Sequence, residues 1–381
     1  MCNTECVKIT QSYYTLRKIH SLDINASLQV PIMVIQTYTQ NENKIAYNTT
    51  SLPKHILVGY WHNWQDLSVP FIRLAHISPK FNVINIAFAL PDEKTVGQMR
   101  FHLYKGTTPE RFKADIALLH SLGKKVLISV GGANGSLALT DKAAQAHFVE
   151  SMTSIIEEYD FDGIDINLEG KIALDKGDRD FRNPTSPAIT HLITAVQEIR
   201  AWFGPNFILS MAPETIGVQG GYATYSGLSG AYLPIIHGLR EIISYVHVQH
   251  YHSGPMLALD GKYYEQGTAD FHVAMAEILL QGFSVKQYVS ATFAGLKPEQ
   301  VVIGLPAFTH PLSSGYTTPA EIEKAIRYLT TGQSFDGEYQ LQDPDGYPSF
   351  RGMMIWSINW DATRCQEFSG TLRAALDSIN R

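Results

Sequence analysis

The sequence has 381 residues, which corresponds to roughly two or three average domains or to one large α/β barrel with additional residues. Apolar residues make up 45% of the chain and charged residues only 17%, so the chain can bury a sizeable core and is not intrinsically disordered. The formal net charge is −6, whereas proteins that bind nucleic acid or anionic lipid need an excess of basic residues. We therefore expect a globular protein with a neutral ligand and without a nucleic-acid or membrane partner.

The first 54 residues differ in character from the rest of the chain. They are polar and rich in Thr, Asn and Gln, and they lack the alternation of strand and helix patterns that follows. Residues 28–36 (LQVPIMVIQ) come nearest to the apolar core of a signal peptide, but this run is short and is interrupted by Pro31. No stretch approaches the roughly 20 apolar residues of a membrane helix. We predict an N-terminal extension of unknown role over residues 1–54 and one domain over residues 55–381.

Eight short apolar runs rich in β-branched residues recur in that domain and predict β-strands. They cover residues 56–60, 82–90, 125–132, 161–169, 207–214, 245–251, 301–306 and 352–358. The segments between them have helical periodicity, with apolar stripes such as Phe148, Met152, Ile155 and Tyr159. Nearly continuous apolar strands that alternate with amphipathic helices predict a parallel sheet covered by helices.

Eight such units favour a closed barrel, and the alternative is an open, doubly wound sheet. No Gly-x-Gly-x-x-Gly motif follows the first predicted strand, so the dinucleotide-binding version of the open sheet loses its main support. We predict an α/β fold, a (β/α)8 TIM barrel with an N-terminal extension. Its chemistry should then lie at the C-terminal ends of the strands.

The most informative segment is FDGIDINLEG, residues 161–170. Because side chains alternate along a strand, one set should face the helices and the other the barrel axis. The first set is Ile164, Ile166 and Leu168, and the second is Asp165, Asn167 and Glu169. A hydrogen-bonded ladder that only fills the barrel is the structural alternative. Buried carboxyl groups are costly, however, and they cluster at functional sites.

This segment resembles the Asp-x-x-Asp-x-Asp-x-Glu signature of family 18 glycoside hydrolases, the chitinases and their relatives, with Asn167 in place of the last Asp. Other segments resemble strands of the same family in the same order. LVGYWHNW resembles the first strand, INIAFA the second and SVGGANG the third, while MAPE, VQHY and MMIWSINWD resemble the fifth, sixth and eighth. The resemblance covers about residues 55–378 and implies a catalytic barrel over residues 55–381.

The resemblance implies a monomeric hydrolase of β-1,4-linked N-acetylglucosamine oligomers and polymers, with chitin or chitooligosaccharides as its partners. Secretion is expected from the family, although no signal peptide is recognisable. Glu169 would protonate the glycosidic oxygen, and the 2-acetamido group of the substrate would attack the anomeric carbon with overall retention. Burial and a neighbouring acid should raise the pKa of Glu169.

Further roles follow from the same resemblance. Asn167 and Tyr251 would hold the acetamido group, and Asp165 would orient Asn167. Trp356 would form the floor of the sugar subsite. The remaining matches to the pocket are Gln249, Met211, Glu214, Tyr60 and Phe88. The structural alternative for such residues is ordinary barrel core, since Met and aromatic residues on barrel strands usually belong to it. The long segment after the seventh strand is expected to line the cleft.

Asn167 can accept the acetamido N–H through its amide oxygen, but it brings no negative charge. Charge-assisted hydrogen bonds are about twice as strong as neutral ones, so the transition state should lose about 1.5–3 kcal/mol, or one to two decades in rate. We expect slow hydrolysis or a bias to transglycosylation. The alternatives are a chitin-binding lectin, although non-catalytic relatives usually lose the Glu that stands here at Glu169, and an endo-β-N-acetylglucosaminidase that acts on N-glycans.

Three histidines near the sixth strand raise the question of a metal site. His250 and His252 should share one face of the strand while His247 faces the other way, and no third ligand has zinc-like spacing. The three cysteines form neither a disulfide framework nor a zinc-ligand set. We predict no metal and no cofactor. His252 stands where the family typically has Asn or Asp, which should change the contacts near Tyr251.

Overall fold

The computed structural model describes residues 51–285, 291–309 and 314–379. The predicted extension lies outside the described residues except for its last four, 51–54. Its boundary at residue 54 therefore stays a prediction. The first strand of the barrel begins two residues after it, at Ile56.

Eight parallel strands form the centre of the molecule. They are Ile56–His62 (β1), Val83–Pro91 (β2), Lys125–Gly131 (β3), Gly163–Asn167 (β4), Ile208–Met211 (β5), Tyr245–Gln249 (β6), Val301–Pro306 (β7) and Gly352–Trp356 (β8). Each strand pairs with its neighbour in sequence, and β8 also pairs with β1, so the sheet closes on itself. This closure confirms the predicted (β/α)8 barrel and excludes the open sheet.

Helices connect the strands and cover the outside of the barrel. In the described residues the α-helices are Pro109–Ser121 (α1), Lys142–Tyr159 (α2), Pro187–Phe203 (α3), Gly220–Ala223 (α4), Leu233–Leu239 (α5), Ala269–Gln281 (α6), Pro319–Thr331 (α7), Ile358–Ala362 (α8) and Glu367–Ser378 (α9). Three-residue 3₁₀ turns lie at Leu74–His76, Thr215–Gly217 and Pro298–Gln300. No helix of these segments is both long and apolar enough to cross a membrane.

Short antiparallel strands lie outside the barrel. Met99–Arg100 pairs with the end of β2, Met256–Leu257 pairs with Tyr263–Tyr264, and Gly282–Val285 pairs with Ala291–Ala294.

Local sequence explains where the helices begin and which face they bury. The Asp141 side chain accepts a hydrogen bond from the Ala144 amide at the start of α2, and the Thr318 hydroxyl does the same for Glu321 in α7. The predicted apolar stripe of α2 is buried along its whole length. These helices therefore dock by the amphipathic faces that the sequence indicates.

The barrel interior changes from apolar to polar along the strands. Toward the N-terminal ends it is filled by Val58, Val83, Leu127, Ile208 and Val302. Further along the strands it contains the buried polar side chains Ser129, Asp165, Ser210 and His247. A buried polar layer is stable only if its groups are hydrogen-bonded, so the C-terminal half of the barrel depends on how these side chains pair.

The segment after β7 was expected to line the cleft, but part of it packs against the helix layer. Among its described residues, 337–347 pack against α6 around the buried carboxylate of Glu277. That carboxylate accepts hydrogen bonds from the hydroxyls of Tyr339 at 2.7 Å and Tyr347 at 2.8 Å, and from the Gln342 amide at 2.8 Å. This part of the segment is therefore held on the helix layer and does not line the cleft described below.

Candidate active site

A cavity of about 640 Å³ opens at the C-terminal ends of the barrel strands. Five residues expected from the sequence line it: Glu169, Gln249, Tyr251, Trp356 and Phe88. The cavity lies where a TIM barrel places its chemistry, and it contains the carboxyl group expected to be the acid.

Asp165 lies below the cavity, at the barrel axis, and is completely buried. The hydroxyls of Tyr60 and Ser129 donate to its Oδ2 at 2.5 and 2.6 Å. The Ser210 hydroxyl and His247 Nε2 donate to Oδ1 at 2.7 and 2.8 Å. Burial alone would raise the pKa of Asp165, but attraction to His247 and the hydrogen bonds outweigh burial and lower it. Asp165 is therefore a buried anion.

Asn167 lies on the same strand face, between Asp165 and the cavity, and is only 1% exposed. Its Oδ1 accepts a hydrogen bond from Gln249 Nε2 at 3.2 Å, and its side chain also hydrogen-bonds to Glu169. Gln249 Nε2 is in addition 3.2 Å from Glu169 Oε1 and 3.1 Å from the carbonyl oxygen of Ala212. An amide oxygen accepts two hydrogen bonds, so Oδ1 of Asn167 keeps one acceptor position for a ligand N–H.

Glu169 lines the cavity at the end of this row of side chains. Burial raises the pKa of Glu169, hydrogen bonds from Gln249 and Asn167 oppose this, and the negative charge of Glu214 raises the pKa further. The net pKa is above the ordinary value, as the sequence led us to expect. The neighbouring acid is Glu214.

Glu214 affects Glu169 from outside the cavity lining. Its Oε2 accepts a hydrogen bond from the backbone N–H of Gly170 at 2.7 Å. Gly170 has a φ of +59° and directly follows Glu169, so this bond supports the turn that presents the acid. Glu214 is not part of the cavity lining, and its influence is electrostatic and structural.

Three aromatic rings form a platform along one side of the cavity. Trp356 and Phe88 are stacked, with ring centroids 5.9 Å apart and an interplanar angle of 14°. Trp64 extends the platform, with its ring centroid 6.2 Å from that of Phe88. Phe88 lies at a register shift in β2, between Ala87 and Ala89. Flat apolar rings of this kind can bind the faces of sugar rings.

Of two aromatic residues at this platform, Tyr60 was predicted from the sequence and Trp64 was not. Tyr60 is buried beneath it, with its ring centroid 5.3 Å from that of Trp356, and its hydroxyl belongs to Asp165. Trp64 was not among the predicted residues. The sequence could have indicated it, because Trp64 follows the end of the first strand by two residues and the site was expected at that end of the strands.

Tyr251 is 5% exposed and lines the cavity. Burial raises its pKa well above the ordinary value, and the negative charges of Glu169 and Glu214 add to this, so the hydroxyl remains a hydrogen-bond donor. The backbone of Gly315, with a φ of +90°, lies directly against Tyr251, and a Cβ there would come within 2.9 Å of the Tyr251 Cα. The described residues just before α7 therefore hold Tyr251 in place.

The three histidines face three different environments. His247 binds Asp165, and His250 faces α6, where its Nδ1 is 3.1 Å from Nδ1 of His272. His252 lines the cavity. The expectation that His250 and His252 share a face is not met, because β6 ends at Gln249 and His252 has a left-handed φ of +51°. In the described part of the chain, no three His, Cys, Asp or Glu side chains are placed to hold a metal ion.

The expectation that Met211 lines the pocket needs correction. Ser210 faces the barrel axis, where it binds Asp165, so the alternation along β5 turns its neighbour Met211 toward the helices. Met211 is paired in register with Ile166, which lies on the same outer face, and is completely buried. The sequence match located the correct strand but assigned the wrong face, and we remove Met211 from the site.

Comparison with known proteins agrees with this geometry. The sequence model of glycosyl hydrolases family 18 matches residues 56–368. The chain belongs to this family. Among solved structures, a family GH18 chitinase from Chromobacterium violaceum has a TM-score of 0.80 and 38% sequence identity, and the match covers 87% of this chain and 85% of that one.

Two curated relatives are about half identical in sequence. Chitinase Chi52 of Paenibacillus xylanexedens is 50% identical over 325 residues, and Chitinase D of Niallia circulans is 49% identical over 326 residues. Each match covers 85% of this chain and 62% of the relative, so the chain spans about three fifths of the length of these two proteins.

The contribution of Glu214 to the acid can be measured directly. Glu214→Gln keeps an acceptor for the Gly170 N–H but removes the negative charge that helps to raise the pKa of Glu169. We expect the pKa of Glu169 to fall in this variant, measured by ¹³C NMR titration of the side-chain carboxyl carbons. Glu150→Gln, at an exposed position of α2, is the control and should leave it unchanged. An equal pKa in the Glu214 variant and the native protein would contradict the proposed electrostatic coupling.

Proposed function

We propose that the chain is a chitinase-type hydrolase that cleaves β-1,4-linked N-acetylglucosamine oligomers and polymers with retention, assisted by the substrate's own acetamido group. The observation that carries this proposal is Glu169, a cavity-lining carboxyl group with a raised pKa that lies above the neutral amide of Asn167 and the buried anion of Asp165. The names of the relatives, which are chitinases, support the same substrate class.

In the proposed reaction, protonated Glu169 donates its proton to the glycosidic oxygen as the bond to the anomeric carbon breaks. The acetamido carbonyl oxygen attacks that carbon from the opposite face and forms an oxazolinium ion. Tyr251 donates a hydrogen bond to the acetamido oxygen, and Asn167 Oδ1 accepts one from the acetamido N–H. The Glu169 carboxylate then takes a proton from water as the water attacks the anomeric carbon and opens the oxazolinium ring. This step restores the protonated acid and the original configuration of the anomeric carbon.

The structure supports acetamido assistance over a two-carboxylate mechanism. A retaining enzyme of the two-carboxylate type needs a second carboxyl group that can reach the anomeric carbon. Asp165 is completely buried, and its oxygens are occupied by four donors. Glu214 lies outside the cavity lining and binds the Gly170 amide. Neither carboxylate is available as a nucleophile, so the substrate must supply it.

We further propose that the reaction is slower, and favours transfer to sugars more, than in a site with a usable carboxylate at this position, since Asn167 brings no charge to stabilise the oxazolinium ion. A lectin would not need an acid whose pKa is raised by burial and by a second carboxylate, so the raised pKa of Glu169 favours an enzyme. Nothing in the cavity described above favours an N-glycan over chitin. The extension over residues 1–54, the monomeric state and secretion stay predictions.

Replacing the proposed acid tests the reaction itself. Glu169→Gln keeps the size and hydrogen-bonding capacity of the side chain but cannot donate the proton, so we expect kcat on chitohexaose to fall by about 10²–10⁴-fold. Binding of chitohexaose, measured by calorimetry, should persist and show that the variant is folded. Activity within tenfold of the native protein would rule out Glu169 as the acid.

Transfer can be tested on the native protein. If the missing charge at Asn167 slows the attack of water on the oxazolinium ion, a second sugar bound near the aromatic platform has more time to compete with water. We expect early samples of a chitohexaose digest to contain oligomers longer than the substrate, detected by mass spectrometry. The Glu169→Gln variant should form neither shorter nor longer oligomers. A native digest in which only shorter products appear at every time point would exclude the transfer bias.

A further inference from the structure

His247 is placed to control Asp165 and, through it, the residue at position 167. It faces the barrel axis from β6, its side chain is 0% exposed, and its Nε2 lies 2.8 Å from Asp165 Oδ1. The imidazole ring is held between aromatic neighbours, with ring centroids 5.9 Å from that of Tyr60 and 5.5 Å from that of Tyr245. Its Nε2–H therefore points at Asp165 in a fixed direction.

His247 is also the donor that completes the hydrogen bonding of Asp165. A carboxylate has about four acceptor positions, and the four donors to Asp165 fill them. Three of these donors are hydroxyls, which can rotate their proton to another acceptor. The N–H of a buried imidazole ring cannot rotate in this way. His247 is thus the donor that most firmly keeps Asp165 closed to a further hydrogen bond.

Two pairs of side chains are stacked across the barrel between β4 and β6. The lower pair is Asp165 with His247, and the upper pair is Asn167 with Gln249. The lower pair contains the buried carboxylate, and the upper pair consists of two neutral amides. Asn167 makes its hydrogen bonds sideways to Gln249 and upward to Glu169, which is the arrangement expected if Asp165 has no acceptor position to offer.

We propose that His247 is a positioning residue for the acetamido-assisted reaction. Its hydrogen bond occupies the last acceptor position of Asp165, so the side chain at position 167 cannot donate to Asp165 and the site is specific for a neutral residue there. This inference rests on the proposed function and adds a residue that acts through Asp165 and Asn167. An acid at position 167 would lie beside an anion with no free acceptor position, so it could not share a proton with Asp165. Its charge would instead be opposed by Asp165.

A pair of closely matched variants separates the donor from the ring. His247→Gln replaces the ring by an amide whose Nε2 can reach the position of the imidazole Nε2, so Asp165 stays closed. His247→Asn has the same neutral amide on a shorter side chain that does not reach Oδ1, so one acceptor position of Asp165 becomes free. Each variant is combined with Asn167→Asp, and kcat and KM are measured on chitohexaose.

We expect Asn167→Asp alone to lower kcat by about three- to tenfold, because the new carboxyl group cannot share a proton with Asp165. Adding His247→Asn should raise kcat by at least about tenfold over Asn167→Asp alone, whereas adding His247→Gln should not raise it. KM should change by less than about twofold throughout, which a general loss of structure would not produce.

Independent effects of the two positions, or the same result for His247→Asn and His247→Gln, would overturn the proposal. An Asn167→Asp variant that gains activity while His247 is intact would do the same. If these effects are independent but the native protein cleaves chitohexaose and Glu169→Gln does not, the proposed function stands and only the role of His247 fails.

A crystal structure of Asn167→Asp with His247 in place tests the role of His247 independently. It depends neither on activity nor on the folding of a His247 variant. We expect the carboxyl group introduced at position 167 to turn toward Gln249 and away from Asp165. An oxygen–oxygen contact of hydrogen-bonding length between the carboxyl groups at positions 165 and 167, about 2.5–2.7 Å, would show that His247 does not close Asp165.

Discussion

The buried carboxylate of Asp165 is the interaction on which the rest of this site depends. An unpaired charge at the centre of a barrel would be strongly destabilising, and here it is compensated by donors from four different strands, β1, β3, β5 and β6. Each donor reaches Asp165 only if its strand has the correct register. The hydrogen bonds therefore connect the closure of the barrel to the position of a single side chain. The alternation along β4 then carries Asn167 toward the cavity, and Glu169 follows in the turn after the strand.

The pKa values of Asp165, on β4, and of Glu169, in the turn after it, are shifted in opposite directions by their surroundings. Hydrogen bonds and His247 lower the pKa of Asp165 against the effect of burial, while burial and Glu214 raise the pKa of Glu169 against its hydrogen bonds. A pair of titratable groups separated in this way is a common basis for acid and base roles in one site. The neutral amide of Asn167 lies between them, so that Asp165 and Glu169 titrate in separate environments.

Much of this arrangement could be predicted from the sequence, because it depends on local patterns. Strand alternation placed Asp165, Asn167 and Glu169 on the inner face, and the order of the apolar runs predicted the barrel. The same alternation shows why Met211 was misplaced. The resemblance located its strand, but the facing of that strand is fixed by Ser210, whose partner lies 45 residues earlier in the chain.

The features that sequence reasoning missed are contacts between distant parts of the chain. His247 was considered only as a metal ligand, because nothing in its neighbourhood indicates an aspartate 82 residues away. Glu214 was expected to bind substrate, whereas it supports Gly170, 44 residues earlier in the chain, and raises the pKa of Glu169. Such partners are set by the closure of the barrel, and no periodicity in the sequence reports which residues meet across its axis.

The central claim is that the substrate's acetamido group is the nucleophile, and a substrate that contains this group at only some positions tests it most directly. The protein would be incubated with partially deacetylated chitooligosaccharides, and the sugar at each new reducing end would be identified by mass spectrometry. The account predicts that every new reducing end carries an N-acetyl group. New reducing ends that carry glucosamine as often as it occurs in the substrate would contradict it.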